Sequence, residues 1–255
     1  MKFFEHEGLR LSYLDEGGAR ASAILLLHGF ASNMGVNWID PGWVSTLCDA
    51  GYRVLAFDHR GHGASDKPHD PAAYTPQKMA GDAVALLDHL AVPQTALFGY
   101  SMGARVSAFA ALAAPERFSR LVFGGLGLGL VEGVGDWDPI VAALLADSLD
   151  AVTHPQGRMF RAFADRTGSD RKALAACITT SRSELTPADL SRIVQPTLIG
   201  VGTRDEIAGS AEGLAALIPH GEAYAIEGRD HMLAVGDRHF KAAVLRFLLG
   251  EPAEG

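Results

Sequence analysis

The sequence predicts an α/β protein: a mostly parallel, doubly wound sheet of about eight strands with an inserted helical cap. Three observations carry this. Short apolar runs alternate with longer amphipathic patterns up to about residue 125 and again after Pro196, the order that gives parallel strands joined by crossover helices. The alternation stops between Leu126 and Leu190, where no run resembles a strand. One apolar run ends in Gly99-Tyr100-Ser101-Met102-Gly103, a serine on a tight strand-to-helix turn.

The elements follow in order. Phe3 to His6 and Leu9 to Leu14 are paired strands turning at Glu7-Gly8. Ala23 to Leu27 lacks a polar face and reads as a buried strand. Trp43 to Ala50 is a short helix stopped by Gly51, and Arg53 to Phe57 the next strand. A polar, turn-rich loop runs from Asp58 to Pro68. Thr75 caps a helix that has Pro76 at its first position and continues through Leu90. Thr95 to Phe98 is the strand before the serine, Met102 to Ala114 the helix after it, and Leu121 to Gly124 another strand. Helical patterns at Pro139 to Leu149 and Arg171 to Thr179 fill the insertion. The sheet resumes with strands at Thr197 to Gly202 and Ala223 to Ile226, each followed by a helix, Ser210 to Ile218 and Arg238 to Leu249. The expected organisation is a core of residues 1–125 and 191–255 with a cap of residues 126–190 over the carboxyl edge of the sheet, where ligands bind.

A serine on such a turn is held in strained backbone geometry with its hydroxyl exposed at a helix N-terminus. It needs a base to take its proton and an acid to orient that base. In this arrangement the order along the chain is serine, acid, histidine. His154, His220, His231 and His239 follow Ser101. Only His231 falls in a loop at the carboxyl edge, between the last strand and the last helix. Asp205, in the loop after Thr197 to Gly202, is the expected acid; Glu206, Asp230, Asp136 and Asp138 are weaker alternatives. Two backbone N–H groups are needed to hold an oxyanion. Met102 supplies one, and Phe30, after His28-Gly29, the other, with Ala31 as the fallback.

His28-Gly29-Phe30, the segment Asp58 to Pro68, the Gly99–Gly103 turn and Asp205 with His231 together resemble the α/β-hydrolase superfamily along nearly the whole chain. The resemblance implies that the Asp58 to Ser65 loop is mainly architectural and that His59 and His62 serve that loop, not a metal. Two departures stand out. The long loop after Phe30 carries Asn33, Asn37, Trp38 and Trp43, expected at the pocket entrance. Asp230 precedes His231 and is expected to alter the charge near it.

The 255 residues, 48% of them hydrophobic, are enough for one domain with a large core. A net charge of -8 argues against nucleic acid or an anionic membrane as partner and otherwise speaks only to solubility; the expected partner is a small-molecule substrate. Cys48 and Cys177 lie far apart with no ligand spacing, as in a reduced, cytoplasmic protein. The N-terminus has no apolar signal core, and no stretch approaches the roughly 20 apolar residues of a membrane span. A serine nucleophile excludes the dehalogenase and epoxide-hydrolase reactions of this fold, which need an aspartate. It leaves small esters and related acyl substrates, with C–C hydrolysis of β-diketone-like acids second and a non-turnover receptor third. In the insertion, Met159, Phe160, Phe163 and Leu174 offer apolar contact. Of Arg158, Arg161, Arg166, Arg171 and Lys172, most are expected on a solvated helix face and one or two at a substrate carboxylate. No metal or cofactor is required, and a monomer or homodimer is expected.

Overall fold

A computed structural model describes residues 1–19 and 21–251. Its strands are β1 (Lys2–His6), β2 (Leu9–Glu16), β3 (Ala23–Leu27), β4 (Arg53–Phe57), β5 (Thr95–Tyr100), β6 (Phe118–Gly124), β7 (Thr197–Gly202) and β8 (Gly221–Ile226). They form one eight-stranded sheet in the order β1-β2-β4-β3-β5-β6-β7-β8. Only β2 runs against its neighbours, pairing antiparallel with β1 and β4. The central strands are buried along almost their whole length because helices cover both faces.

The flanking helices of the first half are α1 (Trp43–Asp49), α2 (Pro76–His89) and α3 (Met102–Ala113). Thr75 caps α2 through the Lys78 N–H, with Pro76 at the first position. Between β6 and β7 lie α4 (Gly129–Glu132), α5 (Asp138–Leu145), α6 (Pro155–Arg166), α7 (Arg171–Thr180) and α8 (Pro187–Leu190), with no strand among the described residues. The last helices are α9 (Ala211–Ala215) and α10 (Arg238–Leu249). α9 is shorter than the expected Ser210 to Ile218. Leu217 and Ile218 tighten onto carbonyls three residues back, and Pro219 bars continuation. No helix among the described residues is long and apolar enough to cross a membrane.

The Asp58 to Ser65 loop ties the carboxyl edge together. The Asp58 carboxylate accepts from the Ser12 hydroxyl and from the Met34 and Ala64 N–H groups, at 2.7, 2.8 and 2.9 Å. His28, His59 and His62 are fully buried beside it. His28 Nε2 accepts from the His59 N–H, so its Nδ1–H donates to the Gly29 carbonyl. His62 Nε2 accepts from the Ala31 N–H, so its Nδ1–H donates to the Arg60 carbonyl. The ring nitrogens of His28 and His62 are therefore fully used in fixing loops.

Burial holds all three imidazoles neutral: it pushes His28 down, His59 well below its ordinary value and His62 to about 3. An unfolded chain protonates them below about pH 6.5. The unfolded state then binds more protons than the folded state, so stability falls as pH falls. Each imidazole contributes about 1.4 kcal/mol per pH unit below that value, until its own folded value is reached. Tm is expected to drop steeply between about pH 6.5 and 5, above the range in which carboxylates titrate. A Tm flat across that interval would contradict three neutral buried imidazoles.

Candidate active site

β5 runs directly into α3 through Ser101, whose backbone sits at φ 55° and ψ −113°. A side chain other than glycine is strained there. The flanking glycines have steric causes. A Cβ on Gly99 would overlap the Gly103 carbonyl, and one on Gly103 would overlap the carbonyls of Leu27 and His28.

Three loops at the carboxyl ends of β5, β7 and β8 converge. Ser101 Oγ lies 3.0 Å from His231 Nε2, and His231 Nδ1 lies 2.7 Å from Asp205 Oδ2. The carboxylate only accepts, so Nδ1 carries the proton and Nε2 presents its lone pair to the serine hydroxyl. Asp205 Oδ1 accepts from the Ile207 and Ala208 N–H groups at 2.9 and 3.0 Å, which fixes Oδ2 toward the imidazole. The Asp205 side chain is fully buried and that of His231 is 12% exposed.

Next to Ser101, the Phe30 and Met102 N–H groups have no hydrogen-bond partner among the described residues. Ala31 is not an alternative. Its φ is 58°, and its N–H is taken by His62 at 3.2 Å. Gly29 passes against the Ser101 side chain and donates to Asn37 Oδ1 at 3.0 Å, which pins the loop carrying Phe30.

The remaining candidates separate from this centre. Glu206 is exposed, and Asp136 accepts from the Asp138 N–H at the start of α5. His154 caps α6, while His220 and His239 are exposed. Asp230 turns the loop of His231 by accepting from the Met232 and Leu233 N–H groups. Trp38 and Trp43 are not at the entrance: both are fully buried against Phe98 beneath the sheet. Leu174 is likewise core. Arg161 is neither solvated nor free, because it holds the Ala143 and Ala146 carbonyls and Asp165.

The sequence reading missed Tyr100. Its phenol donates to the His231 carbonyl at 2.6 Å and so sets the height of the imidazole. Burial, with Asp205 and Asp230 adding to it, pushes this phenol above its ordinary value and keeps it a donor. Nothing in a Gly-x-Ser turn signals the role of x. Arg105 was also missed, although a lone arginine in the apolar face Met102–Ala113 is a visible signal.

Two cavities meet at Ser101, sharing Phe30, Ser101 and Trp137. The larger, about 600 Å³, is lined by His231, Met159, Phe160, Phe163 and Arg166 among others. The smaller, about 40 Å³, is lined by Met102, Arg105, Ser181, Arg182 and Ile207 among others. Residues of α6 line the larger cavity, Ile178 of α7 with Ser181 and Arg182 just after it line the smaller, and Trp137, just before α5, lines both. Trp137 and Phe160 pack on Phe30 with ring centroids 6.3 and 5.8 Å away, and Cys177 meets Met102 at 3.8 Å.

The strand order and the turn at Ser101 define an α/β hydrolase fold. The family model of the alpha/beta hydrolase fold matches residues 22–162, and the chain belongs to that family. An epoxide hydrolase of Caballeronia sordidicola is 37% identical over 117 residues, 46% of this chain and 34% of that protein, so the chain spans about a third of its length. The 3-oxoadipate enol-lactonase 2 of Acinetobacter baylyi is 26% identical over 222 residues, 81% of this chain and 80% of that protein. A crystal structure of a hydrolase from Pseudomonas aeruginosa PA01 matches with a TM-score of 0.81 and 28% identity, covering 97% of each chain.

Proposed function

We propose that this chain is a serine hydrolase of small carboxylic esters or lactones, acting through Ser101, His231 and Asp205. The observation that carries it is the continuous hydrogen-bonded chain from Asp205 through His231 to Ser101, beside two unpaired N–H groups. Ser101 attacks the substrate carbonyl while His231 Nε2 takes its proton. The Phe30 and Met102 N–H groups hold the tetrahedral oxyanion. His231 returns the proton to the leaving group, and a water activated by His231 then releases the acid. The step needs no cofactor. An aspartate-based epoxide or haloalkane reaction finds no nucleophile here, because serine occupies the turn.

The lining of the two cavities supports one arrangement of the two halves of the substrate. His231 lines only the larger one, so the leaving group it protonates sits there. Met102 lines only the smaller one, so the acyl chain lies on that side of the oxyanion donors. The helical segment 126–190 acts as a cap that selects for this shape. A panel of esters tests the reading, with Ser101→Ala as the blank. Esters pairing a two- to five-carbon acyl group with a bulky apolar alcohol are expected to turn over fastest. Equal or faster turnover of long acyl chains contradicts the assignment. Turnover that stops after a few events per molecule favours a ligand-binding receptor instead.

A further inference from the structure

The smaller arm is unusual in its charge. Arg105 and Arg182 both line it, and neither has a carboxylate within ion-pairing distance among the described residues. Glu184, Asp136 and Asp138 act on them only from further away. Arg105 is buried and donates to the carbonyls of Gly129, Leu130 and Ser183, which orients it without neutralising it. Arg182 lies over the Trp137 ring at 4.4 Å and donates to the Gly135 carbonyl. Its Nε is buried with no hydrogen-bond partner. The Ser181 hydroxyl, in the same arm, is buried with no nitrogen or oxygen partner, its contact being the Cys177 thiol.

Unpaired cations and unsatisfied donors in a buried site are costly unless an anion joins them. Burial lowers both guanidinium groups to about 10, and Arg182 adds to the effect on Arg105, yet both stay charged at neutral pH. A cavity of about 40 Å³ suits a carboxylate on a short methylene stem better than a branched or aromatic acyl group.

We propose that the arm lined by Arg105, Ser181 and Arg182 binds a second carboxylate on the acyl half of the substrate, which makes the preferred substrates monoesters or lactones of short dicarboxylic acids. This rests on the acyl chemistry proposed above and narrows its substrate class. The Arg182 Nε–H and Ser181 hydroxyl donate to the anion, and Arg105 supplies charge from the first turn of α3.

Two measurements separate this inference from the hydrolase reading. The first is kcat/KM for 4-nitrophenyl hydrogen glutarate against neutral 4-nitrophenyl pentanoate. The ratio is expected to favour the carboxylate by roughly 10- to 100-fold, the worth of a charge-assisted contact. It should collapse in Arg182→Met and stand between the two in Arg182→Lys. The second is calorimetric binding of glutarate to the Ser101→Ala chain, which reads the arm without turnover. Binding that weakens about tenfold or more on adding Arg182→Met supports the anion site even if neither ester is cleaved, an outcome that would sink only the hydrolase reading. Cleavage of both esters at equal kcat/KM, with no binding of millimolar glutarate, overturns the anion site and leaves the hydrolase reading intact.

Discussion

Replacing Asp205 by asparagine is expected to lower kcat/KM for the best ester by about 10⁴-fold while leaving Tm nearly unchanged. The reason lies in the two faces of this side chain. Oδ1 accepts from the Ile207 and Ala208 N–H groups. Only the oxygen of an asparagine amide satisfies those donors, so the amide NH2 turns to His231 Nδ1. That nitrogen must then accept, and the imidazole proton moves to Nε2. The lone pair that faces the Ser101 hydroxyl is lost, and with it the base. A loss of less than tenfold would place the acid elsewhere. Asp136 is a poor substitute because its carboxylate accepts from the Asp138 N–H at the start of α5.

Ser101→Ala is expected to cost more, on the order of 10⁶-fold in kcat, with the remaining rate supplied by binding and the oxyanion donors. The substitution keeps a Cβ at φ 55°, so it neither adds nor relieves backbone strain. Loss of activity with an unaltered Tm therefore isolates the hydroxyl. Retained turnover would mean that bulk water or another side chain attacks the substrate, which the contact between Ser101 and His231 gives no reason to expect.

Much of this was legible in the chain because local rules decide it. Buried strands such as Ala23–Leu27 show themselves as apolar runs, and the glycines beside Ser101 mark a backbone crossing. Chain order, with the loops that follow the strands, brought Ser101, Asp205 and His231 to one edge. What escaped was whatever depends on partners distant in sequence. Phe30 was preferred, but what removes the Ala31 fallback is a hydrogen bond from its N–H to His62, thirty-one residues away. Trp38 and Trp43 look alike as entrance or core residues until Phe98 and Phe240 are placed beside them. The arginines were harder still. Arg161, on a helix that looked solvated, spends its charge on Asp165 and two backbone carbonyls, whereas Arg182, outside any helix, lines the cavity. Sequence pattern gives a helix face, but not which cations remain unpaired once the faces meet.

A nucleophilic Ser101 is marked covalently by an active-site phosphonate. The protein is treated with a fluorophosphonate, digested, and its peptides weighed. A single phosphonyl adduct on Ser101 is expected, absent when the protein is first unfolded and greatly slowed by Asp205→Asn. An adduct on another residue, or none on a folded chain that still hydrolyses esters, would contradict it.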